Sequence, residues 1–218
     1  MALNQGLYRN SGEARRAIAK AGGVVRIAAR ILDADCECVT QLRTIPGYDN
    51  SGRMESKHIG LFHQLPASGR RFYEQALHRI CRRSPFQVSI DYPFIAGRRG
   101  TRSVSLNISS SELSSVGKDL SHLFKDITPI EGYLISGKPR PQASSPRLSC
   151  IQNQSDAEAI RILELYQQRF KRGPFKITVV GLSLIHTPHY PPDCHRRSDL
   201  PPDFILPDWE EFPFLGVD

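Results

Sequence analysis

The chain lacks any run of about 18 apolar residues, the length a helix needs to cross a bilayer, so no transmembrane helix is predicted. It also lacks a CxxC pair, and its five cysteines (Cys36, Cys38, Cys81, Cys150 and Cys194) are odd in number. That excludes a zinc ribbon and a fully paired disulfide framework. Reduced thiols in an intracellular protein, cytoplasmic or nuclear, are expected instead. The first 21 residues have no apolar core long enough for a signal peptide. They are basic through Arg15, Arg16 and Lys20, which leaves a mitochondrial presequence as the alternative, with Glu13 against it. The last twenty residues contain no Lys or Arg but six acids: Asp199, Asp203, Asp208, Glu210, Glu211 and Asp218. Net charge is +7, so without those six acids the remainder carries +13. Such a body attracts polyanions, nucleic acid above all, although a solvated basic surface has the same composition.

What is present is ordinary for a globular chain: 218 residues, 39% hydrophobic and 23% charged. That length fits one large domain or two small lobes and suffices for a real core. A short helix capped at Ser11 ends at Gly22-Gly23. Val24 to Ala28 reads as a strand, followed by a short helix through Cys38 to Leu42 and a turn-rich connector from Pro46 to Gly52. A strand around His58 comes next, within Lys57 to Pro66, and runs into a turn. Residues 69–83 form an amphipathic helix with Tyr73, Leu77 and Ile80 on one stripe and arginines opposite. Phe86 to Tyr92 and Val104 to Ile108 are strands joined through Gly97-Arg98-Arg99-Gly100. Ser109 and Glu112 make a capping box for a helix bearing Leu113, Val116, Leu120 and Leu123. Residues 136–145 are a Pro/Ser-rich loop. A strand at 146–151 leads to a second capping box, Ser155 and Glu158, and a helix with Ala159, Ile162, Leu163, Tyr166 and Phe170 on its apolar face. Phe175 to Leu184 is a strand, 186–208 a Pro-rich insertion, and Trp209 to Phe214 a closing strand. A motif strand followed by a helix thus occurs twice, at 57–83 and 146–172, as two similar lobes would require.

The two motif strands carry the chemistry. On a strand, residues two apart share a face. Plain alternation puts His58, Gly60 and Phe62 on one face, and Ile59, Leu61 and His63 on the other. In the second strand it puts Arg147, Ser149 and Ile151 on one face, with Leu148 and Cys150 in the core.

These segments resemble the 2′-5′ RNA ligase-like, or 2H phosphoesterase, superfamily. The resemblance is carried by KHIGLFHQLP at 57–66, SVSLNISSSELSSVGKDL at 103–120, PRLSCIQNQSDAEAI at 146–160, GPFKITVVGLSLI at 173–185 and the closing WEEFPF. It covers nearly the whole chain from about Gly23, and its specificity lies in the ordered set. It implies an α+β fold of two lobes, each an antiparallel sheet backed by helices, facing a central cleft. It also implies a 1–22 extension before a single bilobal domain at 23–218. In the family each lobe gives the cleft one His-x-Thr/Ser. Here the first motif keeps His58 but has Gly60 at the hydroxyl position. The second keeps Ser149 but has Arg147 where the histidine belongs.

The resemblance makes His58 the candidate acid/base, and Arg147, Ser149, Gly60 and Phe62 the candidate substrate-binding positions, with no metal or cofactor. Opening a 2′,3′-cyclic phosphate needs one group to activate water and another to protonate the leaving oxygen, and histidine can do either. Arginine cannot, because it stays protonated, but it clamps phosphate with paired donors. The expected function is therefore binding of a nucleotide or RNA terminus with little or no turnover. One alternative is an active phosphodiesterase on 2′,3′-cyclic phosphate or 2′-5′ linked ends, using His58 with water or His189. Another is a fold reused for non-phosphate chemistry or as a protein scaffold. His186, His189, Cys194 and His195 crowd the insertion but match no standard metal spacing. Arg70, Arg71, Arg79, Arg82, Arg83, Arg98, Arg99 and Arg102 are candidates for an RNA backbone path, and Phe62, Tyr73 and Tyr92 for base stacking.

Overall fold

The structure, a computed structural model, describes residues 21–45, 47–48, 58–127, 146–187 and 208–216. The helix expected at Ser11, the 136–145 loop, most of the 46–52 connector and most of the 186–208 insertion lie outside these residues. In chain order the elements are β1 (Val24–Ile31), α1 (Asp33–Arg43), β2 (His58–Pro66), α2 (Arg70–Ile80), β3 (Phe86–Arg98), β4 (Thr101–Ser109), α3 (Ser111–Leu123), β5 (Arg147–Gln154), α4 (Asp156–Arg169), β6 (Phe175–Thr187) and β7 (Asp208–Pro213).

The strands form a seven-stranded antiparallel sheet in the order β2-β1-β6-β3-β4-β5, with β7 also on β6. β6 is the hinge of this arrangement. Its first residues, Phe175 to Val179, pair with β3, and its later residues pair with β1 on one side and β7 on the other. One lobe is thus β2-β1-β6-β7 and the other β3-β4-β5. The sheet curls until its two ends, β2 and β5, approach each other within 8 Å between Cα atoms.

Helices cap as their sequences dictate. Ser155 accepts from the Glu158 amide as expected. The other cap falls one residue later than predicted: Ser110, not Ser109, accepts from the Leu113 amide, and Glu112 receives the Ser110 and Ser111 hydroxyls. The buried stripes of all four helices join one apolar core with Val25, Ile27, Ala29 and Ile31 of β1. Phe124, just beyond α3, packs edge-on against both Phe62 and Tyr73. α1, although it follows β1, packs toward the other lobe, where the Tyr166 hydroxyl donates to the Arg43 carbonyl at 2.6 Å. This exchange of helices fastens the lobes together.

Strand β3 runs past its expected end at Tyr92, through Pro93 to Arg98. Proline is tolerated because the register with β4 slips between Ile90 and Pro93, which places it at a bulge rather than in a regular ladder.

Bulges also correct the expected faces of both motif strands. One extra residue, Leu61, stands between Gly60, opposite Ala28, and Phe62, opposite Ile27. A one-residue slip reverses the side chains that follow it, here as far as the next slip before Leu65. Phe62 therefore lies in the core at 1% exposure instead of facing the cleft, and His63 comes round to the face of His58 and Gly60. β5 repeats the device. Cys150 is extra between Ser149, opposite Ser105, and Ile151, opposite Val104. Ile151 is consequently buried in the core, not on the cleft face.

Full burial of a phenyl ring predicts a large truncation cost. Phe62→Ala is expected to lower unfolding free energy by about 3–5 kcal/mol, measured by urea denaturation. A loss below about 1 kcal/mol would place the ring outside the core.

Candidate functional site

The matched bulges establish an internal correspondence between the lobes. His58, Gly60 and His63 of β2 stand where Arg147, Ser149 and Gln152 stand in β5. Alongside them, Ala28 of β1 corresponds to Ser105 of β4, since Gly60 pairs with Ala28 and Ser149 with Ser105. These residues occupy the sheet face turned away from the helical core.

His58 is not open to solvent. It is 8% exposed. Its Nε2 lies 3.0 Å from the Ser183 hydroxyl, reached over the small Ala28, which pairs with Ser183 on β6. The Trp209 ring stacks on the imidazole with centroids 5.5 Å apart and planes 23° from parallel. Trp209 is held there because β7 is pinned by its acids. Glu211 binds Arg30 at 2.9 Å, and Asp208 and Glu210 bind Arg70 at 3.0 and 3.4 Å. Asp208 also approaches His186 at 3.3 Å.

His63 is the opposite case. The residue is exposed, yet surrounding protein crowds its ring. That crowding, reinforced by the Arg26 and Arg147 guanidiniums, pulls its pKa down to about 4. Arg147, across the gap on β5, is exposed and has no ion pair among the described residues. Ser149 beside it is half-buried. The Ser105 hydroxyl, paired laterally with Ser149, is fully buried and makes no hydrogen bond among the described residues.

The remaining candidates separate clearly. Arg70, Arg83 and Arg102 are neutralised by Asp208, Asp119 and Asp156, at 3.0, 3.2 and 2.5 Å. Arg71, Arg79 and Arg82 are exposed on or just past α2, on the helical side rather than with Arg147. Tyr73 is a core residue whose hydroxyl donates to the Pro66 carbonyl, whereas Tyr92 is exposed. His186 is engaged by the Gly22 carbonyl and Asp208; His189, Cys194 and His195 lie outside the described residues. Among the described residues no cluster of metal-ligating side chains forms, and no helix is long and apolar enough to cross a membrane. Sequence reasoning passed over Ser183, Ser105 and Trp209, which only strand pairing brings to this face.

No family model matches the chain, and no curated protein does. Among solved structures, TT0787 of Thermus thermophilus aligns over 89% of this chain and 100% of that one, with a TM-score of 0.51 and 13% identity. The chain has the two-lobed α+β fold of 2H phosphoesterase-like proteins. Two structures of Usb1 from Kluyveromyces marxianus, one with uridine monophosphate, align over 75% of the chain. They do so at TM-scores of 0.40 and 0.39, with 12% and 11% identity, and over 93% and 94% of their own length. At these identities the likeness concerns fold alone.

The site's electrostatics and packing have two measurable consequences. The His63 ring protons should titrate near 4 in the free protein, followed by NMR, rather than near the ordinary 6.5. The unfolded chain then takes up this proton first as pH falls below 6.5, so His63 withdraws stability progressively down to about 4. A midpoint near 6.5 would contradict the crowding and the influence of Arg26 and Arg147. Ser105→Ala removes a buried hydroxyl with no partner among the described residues and should raise stability by about 1 kcal/mol; a loss of that size would mean that the hydroxyl is bonded.

Proposed function

We propose that the chain binds the phosphate of a nucleotide or RNA terminus between β2 and β5, with little or no turnover. The observation that carries this reading is Arg147. It replaces a histidine by symmetry with His58, has no ion pair among the described residues, and stands beside Ser149 and across from His63. A guanidinium there holds phosphate oxygens with paired, charge-assisted donors but cannot accept or release a proton near neutral pH. His58, directed at Ser183 and covered by Trp209, is poorly placed to reach a substrate. Both lobes contribute to the site, which is why residues 23–218 are read as one bilobal unit.

The test is isothermal titration with uridine 3′-monophosphate, paired with a turnover assay on an RNA oligonucleotide ending in a 2′,3′-cyclic phosphate. Wild type should bind, and Arg147→Ala should bind about 10- to 100-fold more weakly, as loss of a charged hydrogen-bonding group implies. Turnover should not exceed that of His58→Ala. Absence of binding by wild type would sink the proposal and favour a non-phosphate or scaffold role. Turnover that disappears in His58→Ala would replace it with the phosphodiesterase reading.

A further inference from the structure

We propose that His63 supplies, on the β2 side, the phosphate-holding donor that Ser149 supplies on the β5 side. The inference rests on the phosphate-binding reading above and names a residue it does not require. Its basis is steric. Gly60 corresponds to Ser149, yet a Cβ built on Gly60 would stand 2.7 Å from His63 Cε1 and 2.8 Å from its Nε2. The nitrogen-bearing edge of the imidazole therefore fills the volume into which a side chain at position 60 would project. Glycine at 60 and histidine at 63 are one joint arrangement: the ring can lie there only while position 60 has no side chain. In β5 the arrangement is reversed, with the hydroxyl kept at Ser149 and an exposed Gln152 at the position matching His63.

The bulge at Leu61 makes this possible, because without it His63 would point to the other face. A neutral imidazole carries one N–H donor, as a hydroxyl does. Arg26 on β1 and Arg147 on β5 disfavour the charged form of the ring in the free protein, and an anion seated among the three offsets their influence. The residue keeps exposed surface although surrounding protein crowds its ring.

The experiment is a double-mutant cycle in uridine 3′-monophosphate affinity, using wild type, His63→Ala, Gly60→Ala and the double variant, with Arg147→Ala alongside. Each single variant should weaken binding about 10- to 100-fold. The double variant should be no weaker than either single, because Gly60→Ala acts by expelling the same ring. Multiplying losses in the double variant would overturn the inference. So would wild-type affinity in His63→Ala, and if Arg147→Ala is weakened at the same time, the phosphate reading survives alone. No binding by wild type removes both. Should Gly60→Ala fail to fold, His63→Gln decides: its amide donor should hold affinity above that of His63→Ala, and equal losses would count against a donor role.

Discussion

Each motif strand has two register shifts, and the one nearer its start governs this site. Leu61 in β2 and Cys150 in β5 interrupt regular pairing at matching positions. Each slip sends an apolar residue, Phe62 or Ile151, into the core and reverses the polar residue that follows. Because side-chain direction alternates with a period of two, such a slip needs no change in composition to redesign a surface. The core gains two large apolar side chains, and the opposite face gains His63. The common position of the bulges is also what ties Arg147 to His58 and Ser149 to Gly60.

Among the described residues, several arginines are taken up by acids, whereas Arg147 is not. The acids of β7 bind Arg30 and Arg70, and Asp119 and Asp156 bind Arg83 and Arg102. The acidic C-terminal segment is thus an internal counter-charge for the basic body, and it fixes Trp209 over His58. Exposed ion pairs of this kind contribute modestly to stability one by one; their effect here is positional. The histidine that the family resemblance marks as acid/base is covered, while Arg147 and His63 are exposed and Ser149 is half-buried.

Much of the fold was legible because local patterns and global packing agree. The stripe of Tyr73, Leu77 and Ile80, the Ser155 cap and the repeated strand–helix order all describe what forms. Leu148 and Cys150 enter the core as alternation requires. What alternation could not reveal were the bulges, since an extra residue in a ladder is set by its partner strand. Phe62, Ile151 and His63 were misdirected for that single reason, and Pro93 hid the continuation of β3. Ser183 and Trp209 gave no local signal at all; they reach His58 through pairing of strands more than a hundred residues away.

The most direct test of the account is the His63 ring titration by NMR in the presence of saturating uridine 3′-monophosphate. A phosphate held between β2 and β5 must raise the midpoint from about 4 toward or above the ordinary 6.5, because the bound anion favours the charged ring. A midpoint unmoved by saturating ligand would contradict a site built on His63 and Arg147.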